Sequence, residues 1–184
     1  SLAVRHQVIR AIREWDADIV LGLRPNDYHP DHRNAGKVVV DASYMVIVPN
    51  VCPDTPPLAK NPLFLYMEDR FQKPYQHQAD IVISIDETIE LKIDGLDAHT
   101  SQMYEWLPWT NGGDASVSKI PNSNKERREW LSNRTKNRSS AISSEKMASL
   151  VKWYGKDIAE KVKYIESFEV AEYGMQPTDE DLKM

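Results

Sequence analysis

No run of apolar residues in the 184-residue chain approaches the ~20 that a membrane-spanning helix needs, so no membrane span is expected. Cysteine occurs once, at Cys52, which excludes an intramolecular disulfide and any multi-cysteine zinc or iron–sulfur site. Positive charge is not in excess either. With 23 Lys+Arg against 28 Asp+Glu the net charge is −5, no footprint for DNA or RNA, and nucleic acid is not expected as a partner. The first residues, Ser1-Leu2-Ala3-Val4-Arg5, enter a helical pattern directly, without the charged, apolar and small-residue regions of a signal peptide. The expectation is a cytoplasmic protein, or one whose leader has been removed.

What is present suits one domain. Val4, Val8, Ala11, Ile12 and Trp15 recur at helical spacing up to about Asp16. Ile19-Val20-Leu21, closed by Gly22, reads as a buried strand that empties into the polar loop Arg24-Pro25-Asn26-Asp27. Pro30 suits a first helical position, Asp31 suits the positive end of a helix dipole, and Val39, Ala42 and Val46 form a stripe. Pro49 to Pro62 carries five prolines and reads as an extended surface loop. Leu63 to Met67 and Asp80 to Ile85 read as strands, with Asp86 capping a helix whose stripe is Ile89, Ile93, Leu96 and Met103.

Pro108 to Asn124 reads as a mobile loop. Lys125 to Arg138 reads as a charged helix, either solvated or packed against another subunit of a homo-oligomer. Glu145 to Tyr154 reads as a helix that Gly155 terminates, Ile165 to Tyr173 as a last strand, and 176–184 as a frayed tail. Strands alternating with helices give class α/β with a mainly parallel sheet. The expected organisation is one domain over 1–175, with an insertion at 108–140.

The chemistry concentrates in one loop. Pro25 to Gly36 sets two histidines and two aspartates between a buried strand and a helix, where open α/β sheets place their sites. Three-residue spacing lets His29 and His32 project into one cleft, and Asp31 is close enough to fix a neighbouring imidazole's tautomer. Two histidines three apart also occur as plain solvated helix-start residues, so the spacing alone decides nothing. The fuller pattern does. Tyr28-His29-Pro30-Asp31-His32-Arg33-Asn34-Ala35-Gly36, following Asp18-Ile19-Val20-Leu21, closely resembles the second motif of the PIG-L/LmbE-like family of zinc-dependent N-acetylglucosaminyl deacetylases. Asp80 to Asp86, Ala98-His99-Thr100-Ser101-Gln102 and Ile165 to Phe168 are similar to further elements of that family, in the same order.

The resemblance implies a Rossmann-like three-layer α/β/α fold and removal of an N-acetyl group from an N-acetylglucosamine-type sugar or glycoconjugate. It implies a zinc ion that activates water for attack on the amide, although other divalent ions suit such sites. It assigns zinc ligation to His32. His29 acts on the tetrahedral intermediate or protonates the leaving amine, and Asp31 holds it in its tautomer. Arg24, Asn26, Asp27 and His99 are candidates for substrate contact. Tyr66, Glu68, Asp69 and Arg70 read as a solvated loop that could face the site, His6 and His77 as surface residues, and Trp106 and Trp109 as core.

One departure stands out. The family's first motif, His-Pro-Asp-Asp, supplies two zinc ligands and the general base, and it occurs nowhere in the 184 residues. The chain therefore reads as the C-terminal portion of a longer protein, about two βα units short, whose missing segment is a partner. The alternative is a non-catalytic sugar-binding or assembly protein that keeps the fold without a complete metal site.

Overall fold

The computed structural model describes residues 1–182 and is of class α/β, with a four-stranded sheet of order β1-β2-β4-β3. The strands are β1 (Ile19–Gly22), β2 (Leu63–Met67), β3 (Ile81–Ser84) and β4 (Ile165–Gly174). The chain divides into two compact units, residues 1–81 with 167–184, and residues 82–166.

In the first unit α1 (Leu2–Trp15) precedes β1, and α2 (Pro30–Met45) follows it. β1 and β2 are parallel, in a register that runs from Ile19 opposite Leu63 to Gly22 opposite Tyr66. β4 is antiparallel to β2, so the last strand reverses the direction of the first pair. The core gathers Ile9 and Ile12 of α1, Ala42 of α2, Val46, Cys52, Phe64 and Tyr66 of β2, and Ala171 of β4. The stripe read on α2 packs in this core, but of the α1 stripe only Val8 and Ile12 do, with Ile9 beside them, while Val4, Ala11 and Trp15 are exposed. β1, expected to be buried, also exposes Ile19 and Leu21, because no strand pairs along its outer edge among the described residues.

The proline-rich stretch between α2 and β2 is irregular, as expected, and one side chain organises it. Arg13, 5% exposed, sends Nε to the carbonyl of Val46, Nη1 to those of Val51, Cys52 and Thr55, and Nη2 to those of Met45 and Val48. A rigid fork of five N–H donors satisfies carbonyls that the end of α2 and the following turns leave without helical partners.

In the second unit α3 (Ile89–Asp97) buries Ile89 and Ile93 against Ile85. Asp86 does not cap it. The Asp86 carboxylate accepts from the backbone N–H of Lys163 and Tyr164, and Thr88 occupies the cap position. A π-helical turn (Ser101–Trp106) follows, and the expected mobile loop holds two one-turn helices, α4 (Leu107–Thr110) and α5 (Asp114–Val117). Pro108 near the start of one and Asp114 at the start of the other explain why such a polar stretch forms helical turns.

α6 (Asn124–Ser139) is not simply solvated. It packs on α3, with Arg128 pairing Glu90 and Asp94, Lys136 pairing Glu90, and Leu131 buried. Trp106 and Trp109 are half exposed and stacked on each other at 5.6 Å rather than in the core. α7 (Ser144–Tyr154) ends at Gly155, whose φ of 77° lies in the left-handed region that glycine tolerates, and α8 (Lys156–Ala159) follows. In the tail, Asp181 accepts from the backbone and hydroxyl of Thr178, and the last two residues of the expected frayed segment lie outside the described residues.

Arg13→Met, of similar length but with no donors, removes six hydrogen bonds to carbonyls, of which those of Met45, Val46, Val48 and Cys52 keep a backbone N–H partner. It is expected to destabilise the first unit by about 3 kcal/mol or more, read as a lower midpoint in urea denaturation; an unchanged midpoint contradicts this role.

Candidate functional site

The loop from Leu23 to His29 leaves the carboxyl end of β1 and turns into α2. A side chain at Gly36, in the second turn of α2, would put its Cβ 2.2 Å from the Leu23 carbonyl oxygen. Only glycine lets the helix lie this close to the loop.

Within the loop Asp27 is buried, 7% exposed, and one of its oxygens holds two groups. The backbone N–H of His29 donates to it at 2.9 Å, and Nδ1 of His32 lies 3.1 Å away. A carboxylate only accepts, so Nδ1 of His32 carries the proton and its Nε2 keeps a free lone pair. His29 is the N-cap of α2. Its Nδ1 accepts from the backbone N–H of Asp31 at 3.2 Å, so its proton sits on Nε2. The two rings lie 4.8 Å apart, and Tyr28 meets each edge-on at 5.8 Å. Both imidazoles are about 44% exposed at the side chain, so the free nitrogens are open to a ligand.

The carboxylate of Asp31, 88% exposed, stands 3.9 Å from His29 Nδ1, beyond hydrogen-bond range. Its backbone, not its side chain, fixes the His29 tautomer, and the orienting carboxylate of the loop is Asp27 acting on His32. Arg24 is also placed differently from the expectation of substrate contact. At 1% exposed it makes a two-pronged bond to Asp69, at 2.7 Å and 2.5 Å, and donates to the carbonyls of Phe71 and Tyr75. Asn26 donates to the Lys73 carbonyl at 2.7 Å. Both therefore tie the loop to the segment after β2. His99 lies in the second unit just past α3, exposed, and its ring makes no hydrogen bond among the described residues.

His77 is a buried member of this region, not a surface residue. Its side chain is 6% exposed, with Nε2 3.4 Å from the hydroxyl of Ser167 and Nδ1 3.6 Å from Glu169. Ser167 also donates to Glu68 at 2.7 Å, and Glu169 accepts from the Tyr75 hydroxyl and the Gln78 backbone. Burial pushes the His77 pKa down, with Glu169 and Glu68 offsetting only part of it. Burial alone would raise Asp69, but the hydrogen bonds from Arg24 and the Phe71 amide together with the charge of Arg24 win, and its pKa is low. Arg24 and Asp69 lie just past the ends of β1 and β2, and the parallel register, which the sequence did not show, opposes those ends.

No family model matches the sequence. Three solved structures are similar to it. One is the N,N'-diacetylchitobiose deacetylase from Pyrococcus horikoshii in complex with its inhibitor, 19% identical, TM-score 0.56, covering 93% of this chain and 52% of that one. Another is the 4-carboxy-2-hydroxymuconate hydratase from Pseudomonas putida, 12% identical, TM-score 0.60, covering 97% and 62%. The third is a conserved protein from Thermus thermophilus, 17% identical, TM-score 0.51, covering 95% and 60%. The chain spans 52% to 62% of the length of these proteins.

The depressed pKa of His77 makes a pH prediction. The unfolded chain takes up the proton at the ordinary value near 6.5, before the folded chain does. The His77 contribution to stability is therefore complete above about pH 6.5 and is lost as the pH falls towards the lower folded value. Urea midpoints measured across that range should fall more steeply for the native chain than for His77→Gln; parallel profiles would contradict the burial argument.

These likenesses, together with the strand order and the helices beside the sheet, show the fold: the chain shares the α/β architecture on which a sugar deacetylase and a hydratase are built.

Proposed function

We propose that the chain serves in a metal-dependent hydrolase that removes the acetyl group from an N-acetylglucosamine-type sugar or conjugate. The observation that supports this reading is the pair of imidazoles held in opposite tautomers. His32 offers a lone pair at Nε2, oriented from behind by a buried carboxylate, as histidine ligands of metals are. His29 offers a proton at Nε2 on the adjacent ring.

Zinc or another divalent ion, when bound, would supply a Lewis acid beside the amide, with His32 as one ligand. Among the described residues no group of three His, Cys, Asp or Glu could hold a metal ion, so they do not by themselves fit a catalytic zinc, which takes three protein ligands. In this reading the remaining ligands and the general base come from a His-Pro-Asp-Asp segment that this sequence does not contain.

The tautomer of His29 decides between its two roles. A neutral ring with Nδ1 already accepting the Asp31 N–H can donate a hydrogen bond from Nε2 to oxygen charge developing on the attacked carbonyl. Full proton donation to the leaving amine would need a second ring proton at Nδ1, which would displace the helix cap. The geometry favours stabilisation of the intermediate.

Acetate release from N-acetylglucosamine and N,N'-diacetylchitobiose, measured with zinc and with chelator on the chain joined to a His-Pro-Asp-Asp-bearing segment, tests the reading. His32→Ala should abolish metal-dependent release, and Asp27→Ala should lower it about 10–100-fold. Full activity in His32→Ala would sink the proposal. The lack of a three-residue ligand group among the described residues favours a second reading, a non-catalytic sugar-binding or assembly protein, which predicts glycan binding indifferent to chelator.

A further inference from the structure

The first unit carries an open groove of about 360 Å³ on its surface. The Tyr66 ring, the side chain of Val40 and the exposed rings of Tyr75 and Tyr173 line it, with the carboxylates of Glu169 and Glu172. None of the lining residues carries a positive charge. Arg24 stands close by, 3.7 Å from Glu169, but it is buried and already bound two-pronged to Asp69. Those two charges cancel, and Glu169 and Glu172 leave the groove negative. Glu172 is exposed and makes no ion pair among the described residues.

The second, independent observation is Tyr66. It is 8% exposed, and its hydroxyl makes no hydrogen bond among the described residues although it lines the groove. Burial pushes its pKa up to about 12, so at neutral pH the phenol stays protonated and is ready both to donate and to accept. Its ring is packed while the hydroxyl has no protein partner and is open to water, so a ligand hydroxyl can take that place.

We propose that this groove binds a small hydroxylated organic cation, an amino sugar in its ammonium form being the class that suits it. Aromatic faces attract an ammonium group and pack against the C–H face of a pyranose. The exposed carboxylate of Glu172 takes the ammonium, Glu169 adds its charge from behind while its oxygens hold Tyr75 and Gln78, and Tyr66 takes a ring hydroxyl. The choice of an amino sugar rests on the hydrolase reading, because removing an N-acetyl group turns a neutral amide into an amine that is protonated at neutral pH. The preference for positive charge rests on the groove alone.

Calorimetry on the intact chain in chelator, with glucosamine, N-acetylglucosamine and glucose as probes, separates the two. Glucosamine should bind, with the neutral sugars about tenfold weaker or more. Tyr66→Phe, which removes one oxygen and keeps the ring packed, and Glu172→Gln should each weaken glucosamine by about threefold or more. Equal binding of glucose and glucosamine, no binding of glucosamine, or undiminished binding in both Tyr66→Phe and Glu172→Gln would each overturn the proposal. Selective glucosamine binding alongside failed acetate release supports the groove and counts only against the hydrolase reading.

Discussion

The chemistry available to this chain depends on one buried oxygen. Asp27 accepts from the His29 backbone and from the His32 ring at a single carboxylate oxygen, and so sets both the path of the loop and the tautomer of the outer histidine. A carboxylate this buried is stable only while its partners satisfy it. The loop is therefore ordered by the same bonds that prepare the imidazoles. His29 completes the arrangement by capping α2, which makes the start of the helix part of the site.

A second layer of polar contacts holds this loop to the rest of the first unit. Arg24 and Asn26 reach across to the segment after β2, and that segment returns through Tyr75 and Gln78 to Glu169 on β4. Arg24 also stands over the Tyr75 ring at 5.2 Å. The motif loop and the tyrosine-lined groove thus share a framework, since Pro25 and Asn26 belong to both the loop and the groove wall. Buried, hydrogen-bonded charges of this kind fix geometry more than they add stability, because desolvation consumes most of the Coulombic gain.

Much of the fold could be read from the sequence because its signals are periodic. The helical spacing of α1, the stripe on α2, the strand runs of β1 and β2, Pro30 at a helix start and Gly155 at a helix end are local statements that set element type. Which side is buried was less legible, since Trp15 of α1 and Ile19 and Leu21 of β1 are exposed. The site was legible as a place, the loop before α2, and in its two histidines. It was not legible in its supporting residues. Asp31 is nearer in sequence to His29 than Asp27 is to His32, yet the turn from Asp27 to His29 is not helical and no periodicity marks which carboxylate folds inward. His77 carries no local signal, because its partners Ser167 and Glu169 lie about ninety residues away on an antiparallel strand. Arg13 sits on the buried face of an amphipathic helix, where only the clustered carbonyls after α2 make a charge tolerable. Trp106 and Trp109 went the other way, finding each other rather than a core.

The central claim is that the loop presets opposite tautomers on two adjacent imidazoles. Side-chain nitrogen NMR of the uniformly ¹⁵N-labelled chain, recorded at a pH where both rings are neutral, reads this directly. The account predicts the proton on Nδ1 of His32 and on Nε2 of His29. Finding His32 protonated at Nε2, or both rings exchanging freely between tautomers, would contradict it.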